Sequence, residues 1–490
     1  MMTKAAIIDI LGDICISNYQ GTTDSFFELV TGINGALGKV DFRVVNFEGV
    51  VDGDRYAPIV KDGPNLSMDG ALSDVLVKNL DVDAFCLANN HIGDFGPVAA
   101  SDTMNFLTEH QKEVFGLESR RGVYTPLFKD ISGLRIAFLA VCENEFGTSG
   151  DGVIGASGYV EADLLKSVSN AKKESGAVIV LFHGGVEYYP FPTPQMRKRY
   201  RNLIDAGADI VVGMHQHCPC GYEKYKDGII SYGLGNFLFP DISFYEDWNV
   251  GYIARFHIGE TTEFEPVPYC IDGNGNVALI DKDIFDGYLE RISKPIQDDG
   301  NLVGLLDAFC LLGGYKAERI LRNIGKNFNA RKSAAIKNLF SCESHRELTI
   351  RYFEKRINAD KEDAVDDECM TLLKSALNCK KSLGLQAIRD EKRVRGIGDT
   401  HVIWGLNIKA KRVFKEIRQQ LPEAEIILTD KSQLLRGMSV LGTTISDPES
   451  ILKENPDYKY HICVNKAHFE DVDKILTCAG ISKENVIWHE

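Results

Sequence analysis

Val178-Ile179-Val180-Leu181-Phe182-His183-Gly184-Gly185 is a run of five apolar residues that stops at a histidine and two glycines. A run of that length, bounded by a turn signal, reads as a strand buried on both faces with a polar group at its carboxyl end. Val211-Val212-Gly213-Met214-His215-Gln216-His217 repeats the pattern. Working outward, similar runs cover 7–11, 42–46, 84–88, 136–141 and 229–232, separated by polar or helical segments. The helix candidates are 101–110, 161–174 and 194–206. The last opens with Thr193-Pro194, an N-cap followed by proline at the first helical position. The first 275 residues therefore read as one α/β domain.

The rest of the chain changes character twice. After the turn signal Asp272-Gly273-Asn274-Gly275-Asn276 come longer amphipathic segments, and 276–394 reads as a mostly helical region with no visible chemical motif. Its acidic stretch 360–368 and its bases Lys380, Lys381, Arg389, Lys392, Arg393 and Arg395 read as solvated helix faces. From Arg395-Gly396-Ile397-Gly398 to residue 490 strands and helices alternate again, as in a small parallel-sheet domain. A length of 490 residues agrees with about three domains of ~150 residues each.

Composition narrows the function. The net charge is −15, and no basic run is long enough to track a phosphate backbone, which excludes nucleic acid as a main partner. No apolar run reaches the ~20 residues of a membrane span. Asp9 and Asp13 interrupt the amino-terminal apolar stretch where a secretory signal stays uncharged, so a cytoplasmic location is expected. The 12 scattered cysteines read as reduced thiols; Cys218 and Cys220 are spaced too closely, and without a second pair, for a structural zinc site.

The chemistry gathers at the strand ends of the first domain, where open α/β sheets place their sites. Asp13, Asn46, Glu48, Asn90, His91, His183, His215 and His217 each follow an apolar run, and they include four of the 11 histidines. Singly, Asp13 or Glu48 reads as well as a turn cap, and Asn90 as a turn residue. Jointly, carboxylates, a carboxamide and imidazoles converging from several strands can hold two divalent cations, with one acid bridging them. Such a pair holds a phosphate and generates a hydroxide.

The ordered set Gly12-Asp13, Asn46-Phe47-Glu48, Ala88-Asn89-Asn90-His91 with Asp94-Phe95-Gly96, His183-Gly184-Gly185-Val186-Glu187-Tyr188, Asp205-Ala206-Gly207-Ala208-Asp209, Gly213-Met214-His215-Gln216-His217 and Tyr232-Gly233-Leu234-Gly235-Asn236-Phe237 resembles the binuclear metallophosphoesterases. More closely, it resembles the CapA family of bacterial capsule and poly-γ-glutamate synthesis proteins. The resemblance implies a metallophosphoesterase-like layered α/β sandwich and two divalent ions of manganese, iron or zinc. It assigns Asp13 and His217 to one ion and Asn90, His183 and His215 to the other, with Glu48 bridging. His91 would be the general acid and Asp94 its orienting partner. Asn46, Glu187, Tyr232 and Asn236 would face substrate or support the ligands. Two departures stand out: Cys15 occupies a position where the phosphoesterase pattern has histidine, and Glu48 one where aspartate is common.

The implied partners are a phosphorylated small molecule or surface-polymer precursor and other capsule-synthesis proteins. The implied function is phosphoester hydrolysis, the alternative being a non-catalytic binding or assembly protein of a poly-γ-glutamate or polysaccharide synthesis complex. The last unit resembles the small Rossmann-like domains of polysaccharide-biosynthesis proteins. In its turn Gly405-Leu406-Asn407, Asn407 replaces the second glycine of a dinucleotide loop, and Asp430 reads either as a ribose-binding acid or as a turn residue.

Overall fold

In the computed structural model the apolar runs become two facing sheets. The structure describes residues 5–240, 246–271, 277–311, 320–321, 329–357, 367–383, 400–406, 408–421, 424–430, 439–440, 443–454, 458–464 and 469–489. The turn at 272–276, most of the 360–368 acids, Arg389 to Gly398 and Asn407 lie outside them.

One sheet of eight strands is ordered Val277–Leu279, Thr262–Ile271, Val250–Ile258, Ala6–Ile14, Phe42–Phe47, Ala84–Cys86 and Glu113–Phe115, with Asn236–Leu238 also pairing Ala6–Ile14. The other, of six strands, is ordered Tyr222–Tyr225, Gly228–Ser231, Ile210–Met214, Ala177–His183, Leu134–Cys142 and Leu127–Ile131. The inner strands of both are parallel, so their carboxyl ends share an edge. The sheets face each other: the rings of Phe42 and Phe138 lie 5.4 Å apart, and the hydroxyls of Ser231 and Tyr252 are 2.7 Å apart. Every residue of Ala177–His183 is buried, which is why that strand carries no polar alternation. Helix Pro194–Asp205 begins as expected, with Thr193 Oγ1 accepting from the Met196 amide at 3.2 Å. The result is the layered α/β sandwich expected from the sequence.

Asp9, which interrupts the first apolar run, is fully buried and binds two arginines: Arg43 at 3.3 Å and Arg255 at 2.8 Å. Arg43 is itself 1% exposed. Asp9→Ala would take from Arg43 and Arg255 their shared buried counter-charge while Arg43 keeps Asp81 at 2.6 Å, so the cost is about 3 kcal/mol, the low end for breaking a buried pair. A shift of the urea midpoint well below wild type is the expected result.

The helical region expected at 276–394 does not stand by itself. Its described helices up to residue 377 belong to the same compact unit as the two sheets. The reason is polar as well as apolar: the Asn144 backbone and side chain donate to Glu343 at 2.9 Å each, Ser344 Oγ donates to Glu143 at 2.7 Å, and the Gln195 amide donates to Glu347 at 3.1 Å.

The second unit is chiefly residues 378–490. Its parallel strands are ordered Thr443–Ser446, Glu425–Thr429, Thr400–Trp404, Lys459–Ile462 and Val486–Trp488, with a short antiparallel strand, Ser439–Val440, at the edge. Chain order reverses at the central strand, as in doubly wound folds. Val402 and Trp404 pack on one face with Tyr460, Val472 and Leu476, and Ile403 packs on the other with Val413 and Ile417. Asp430 takes the turn role, accepting from the Leu406 amide at 3.1 Å. With a core on each face of its sheet, a 378–490 fragment is expected to unfold cooperatively on heating; a featureless melt would contradict this boundary.

Candidate metal centre

The strand ends bring the acids and imidazoles together. Gly12 permits the first approach, because a Cβ there would lie 1.9 Å from the Gly235 carbonyl oxygen. The pairing register with Phe42–Phe47 shifts between Leu11 and Asp13, so Asp13 sits opposite Asn46. Asn46 Nδ2 donates to Asp13 Oδ1 at 2.7 Å and lies 3.1 Å from His183 Nδ1. The His215 amide donates to Asp13 Oδ2 at 3.1 Å. His215 and His217 hold φ angles of +98° and +55°, and Tyr188 beside them +63°, a cluster of strained backbone such as over-determined sites sustain.

Two overlapping groups of metal-capable side chains result. Asp13, Glu48 and His217 form one, and Glu48, His183 and His215 the other; in each, ligand atoms lie within 4.8 Å of one another, and Glu48 belongs to both. Asn90 joins the second group, its Oδ1 3.0 Å from His183 Nε2. That is about the spacing of two neighbouring ligands sharing an ion at ~2.1 Å. His217 Nδ1 lies 2.8 Å from Asn236 Oδ1, an arrangement that puts a proton on Nδ1 and turns Nε2 toward Glu48, 4.0 Å away.

Glu48 is the test of fit. It is completely buried, and neither carboxylate oxygen has a hydrogen-bond partner among the described residues. His215 Nδ1 is likewise buried without one. A buried carboxylate in that state is costly unless a cation meets it. In the ion-free protein, burial, and then the charges of Asp13 and Glu187, push the Glu48 carboxyl well above the usual range. Burial, and then the other imidazoles, hold His183 well below its ordinary value. This donor set of carboxylate, amide and imidazole fits manganese, iron or zinc.

His91 stands at the rim with Nε2 3.8 Å from Glu48 Oε1 and Nδ1 2.7 Å from Asp94 Oδ2. Lys61, buried, lies 3.1 Å from the same Nδ1 and is ion-paired with Asp94. Burial and then Lys61 lower the imidazole's pKa, against the pull of Asp94. Nothing in the strand-end pattern points to Lys61. Glu145 was equally hidden; its Oε2 accepts from Asn90 Nδ2 at 2.8 Å. Burial works against its charge, but His345, His215 and the Asn90 hydrogen bond outweigh it and hold the carboxyl at about 2.

Of the other expected positions, Glu187 is half-buried and close enough for its charge to act on Glu48 and His217. Tyr232 does not line the cleft: it is fully buried, its hydroxyl donates to Glu223 at 2.5 Å, and its ring stacks on Tyr200 at 5.4 Å. The Gly-rich turn that follows it belongs to the core. The Cys15 thiol, pushed up to about 12 chiefly by burial, donates to Ser17 at 3.2 Å and joins neither group. Cys218 and Cys220 fall in no such group among the described residues.

Residues 8–241 match the family described as bacterial capsule synthesis protein PGA_cap. The capsule biosynthesis protein CapA of Bacillus anthracis is 34% identical over 171 residues, which are 33% of this chain and 41% of that protein. The PGA biosynthesis protein CapA of Bacillus subtilis is 29% identical over 246 residues, 47% of this chain and 62% of that one. A solved structure of a hypothetical protein from Thermus thermophilus covers 53% of this chain and 99% of its own, at 13% identity and a TM-score of 0.33. Over its amino-terminal half, then, the chain is similar to the CapA capsule biosynthesis proteins. The chain spans about 41% to 62% of the length of these two curated relatives. Among the described residues no helix is long and apolar enough to cross a membrane.

Proposed function

We propose that the amino-terminal unit hydrolyses a phosphoester of a phosphorylated small molecule or surface-polymer precursor, in the synthesis of poly-γ-glutamate or a capsular polysaccharide, with two divalent cations of the manganese, iron or zinc type. The observation that carries this reading is Glu48, a fully buried carboxylate common to two ligand groups with neither oxygen hydrogen-bonded among the described residues. The names of the matched relatives support the pathway, and a cytoplasmic location and contacts with other capsule-synthesis proteins belong to the same proposal.

Two bound cations would supply charge for the phosphoryl oxygens and a water of lowered pKa. The chain's own residues do the rest. Asn46 and the His215 amide hold the Asp13 carboxylate. Asn236 fixes the His217 ring. His91 presents Nε2 toward the cluster, where it can carry a proton to a departing alkoxide, while Asp94 and Lys61 set its orientation from the other nitrogen.

The full chain, stripped by chelation and reloaded with manganese, should hydrolyse nitrophenyl and alkyl phosphates, and the stripped protein should not. One observation favours a second reading: Cys15, protonated and bonded to Ser17, leaves the Asp13 group with three residues. If reloaded protein binds ions but turns over no ester, the chain is a binding or assembly protein of the same pathway.

A further inference from the structure

A second set of metal-capable groups lies where the helical segment meets the sheets. Cys342 falls between helices Ala330–Ser341 and Glu343–Ile357, and His345 lies in the first turn of the second. Three residues apart, the two share one side of the chain. Facing them from the loop after strand Leu134–Cys142 is Glu145, and one ligand atom from each of the three lies within 4.8 Å of the others. Glu145 divides its oxygens: Oε2 accepts from Asn90, and Oε1 lies 3.5 Å from His345 Nδ1.

Two further observations point to a cation here. Asn338, one helical turn before Cys342, is 8% exposed; its amide lies 3.1 Å from His345 Nδ1, and its Oδ1 is buried with no partner among the described residues. The surroundings are also acidic, with Glu143 and Glu343 both buried beside the cysteine. Cys342 Sγ donates to Glu143 Oε2 at 3.3 Å, and if a cation took the place of the thiol proton Glu143 would keep the Ser344 amide and hydroxyl and its pairing with Arg199 at 2.9 Å.

We propose that Glu145, Cys342 and His345 bind one zinc-type cation, in a site separate from the pair sharing Glu48, and that this ion staples the 330–357 helices to the sheet domain. One thiolate, one imidazole and one carboxylate are a zinc set of three with a position left for a fourth ligand. The sulfur distinguishes it from the Glu48 centre, whose donors are oxygen and nitrogen, and softens it toward zinc over manganese. The ion would hold Glu145, and through it the Asn90 amide. The proposal does not depend on hydrolytic activity.

The test uses the full chain, stripped by chelation and titrated with cobalt(II). Expected is a thiolate-to-cobalt charge-transfer absorption reaching one equivalent, kept in His183→Ala and lost in Cys342→Ser, with His345→Ala lowering the zinc content by one ion per chain. If wild-type protein fills with cobalt and shows no thiolate absorption, the proposal is overturned, whatever the variants do. It is equally overturned if Cys342→Ser keeps the absorption, which would place the sulfur elsewhere. Failure of the Glu48 centre reads differently: the sulfur band would persist while the remaining cobalt is missing.

Discussion

Glu48→Gln is expected to raise the melting temperature of the ion-free protein and to remove its stabilisation by metal. The two effects have one cause. A carboxyl whose folded-state pKa lies well above the ordinary value of 4.5 costs stability at every pH above that unfolded value, because folding must either bury its charge or keep its proton. The amide has nearly the same shape and no charge, so at neutral pH the ion-free variant is relieved of that cost. A gain of a few degrees is the scale, since about 1 kcal/mol moves a domain of 150–250 residues by ~2–4 °C. In manganese the order reverses. Losing partners that merely orient a ligand costs about 10–100-fold in metal affinity, and losing a carboxylate shared by both groups should cost at least about 100-fold at each. Melting curves with chelator and with manganese check both halves. A variant that melts lower than wild type in chelator would show Glu48 to be a structural acid.

His91→Ala should keep fold and metal and lose turnover by about 10²- to 10⁴-fold, the usual contribution of a positioned general acid. Its Nε2 faces Glu48 at 3.8 Å, but the imidazole belongs to neither ligand group, which is why the ions should stay. The loss should be larger for an alkyl phosphate than for a nitrophenyl phosphate, whose leaving oxygen departs with little help from a proton. Lys61→Met should move the same leaving-group dependence by disturbing His91 and Asp94, again with metal retained. If His91→Ala sheds metal, the imidazole is a ligand and the general-acid role falls.

Asp13, Glu48, Asn90, His183, His215 and His217 could be named from the sequence because strands buried on both faces are nearly pure apolar runs, and the polar residue that ends each run is conspicuous. Parallel pairing then does the assembling, since it places those ends on one edge. Lys61, Glu145 and the Cys342–His345 turn had no such signal. Lys61 comes from an irregular loop, where one lysine looks like any solvated one, and its burial depends on Asp94 and His91 closing over it. Glu343, Ser344 and Glu347 lie in the region that shows no chemical motif in sequence, yet they are the groups that fasten the helices to Asn144, Glu143 and the start of helix Pro194–Asp205. Tyr232 shows the opposite error: a tyrosine ahead of a Gly-rich turn resembles a cleft residue until Glu223 is seen to take its hydroxyl.

The central claim is that Glu48 is shared by two ions, and anomalous scattering from crystals of the manganese-loaded full chain tests it most directly. Two peaks about 3.5–4 Å apart are expected, each within bonding distance of the Glu48 carboxylate, one beside Asp13 and His217 and the other beside His183 and His215. No manganese peak at Glu48, or a single ion that does not touch it, would contradict the account.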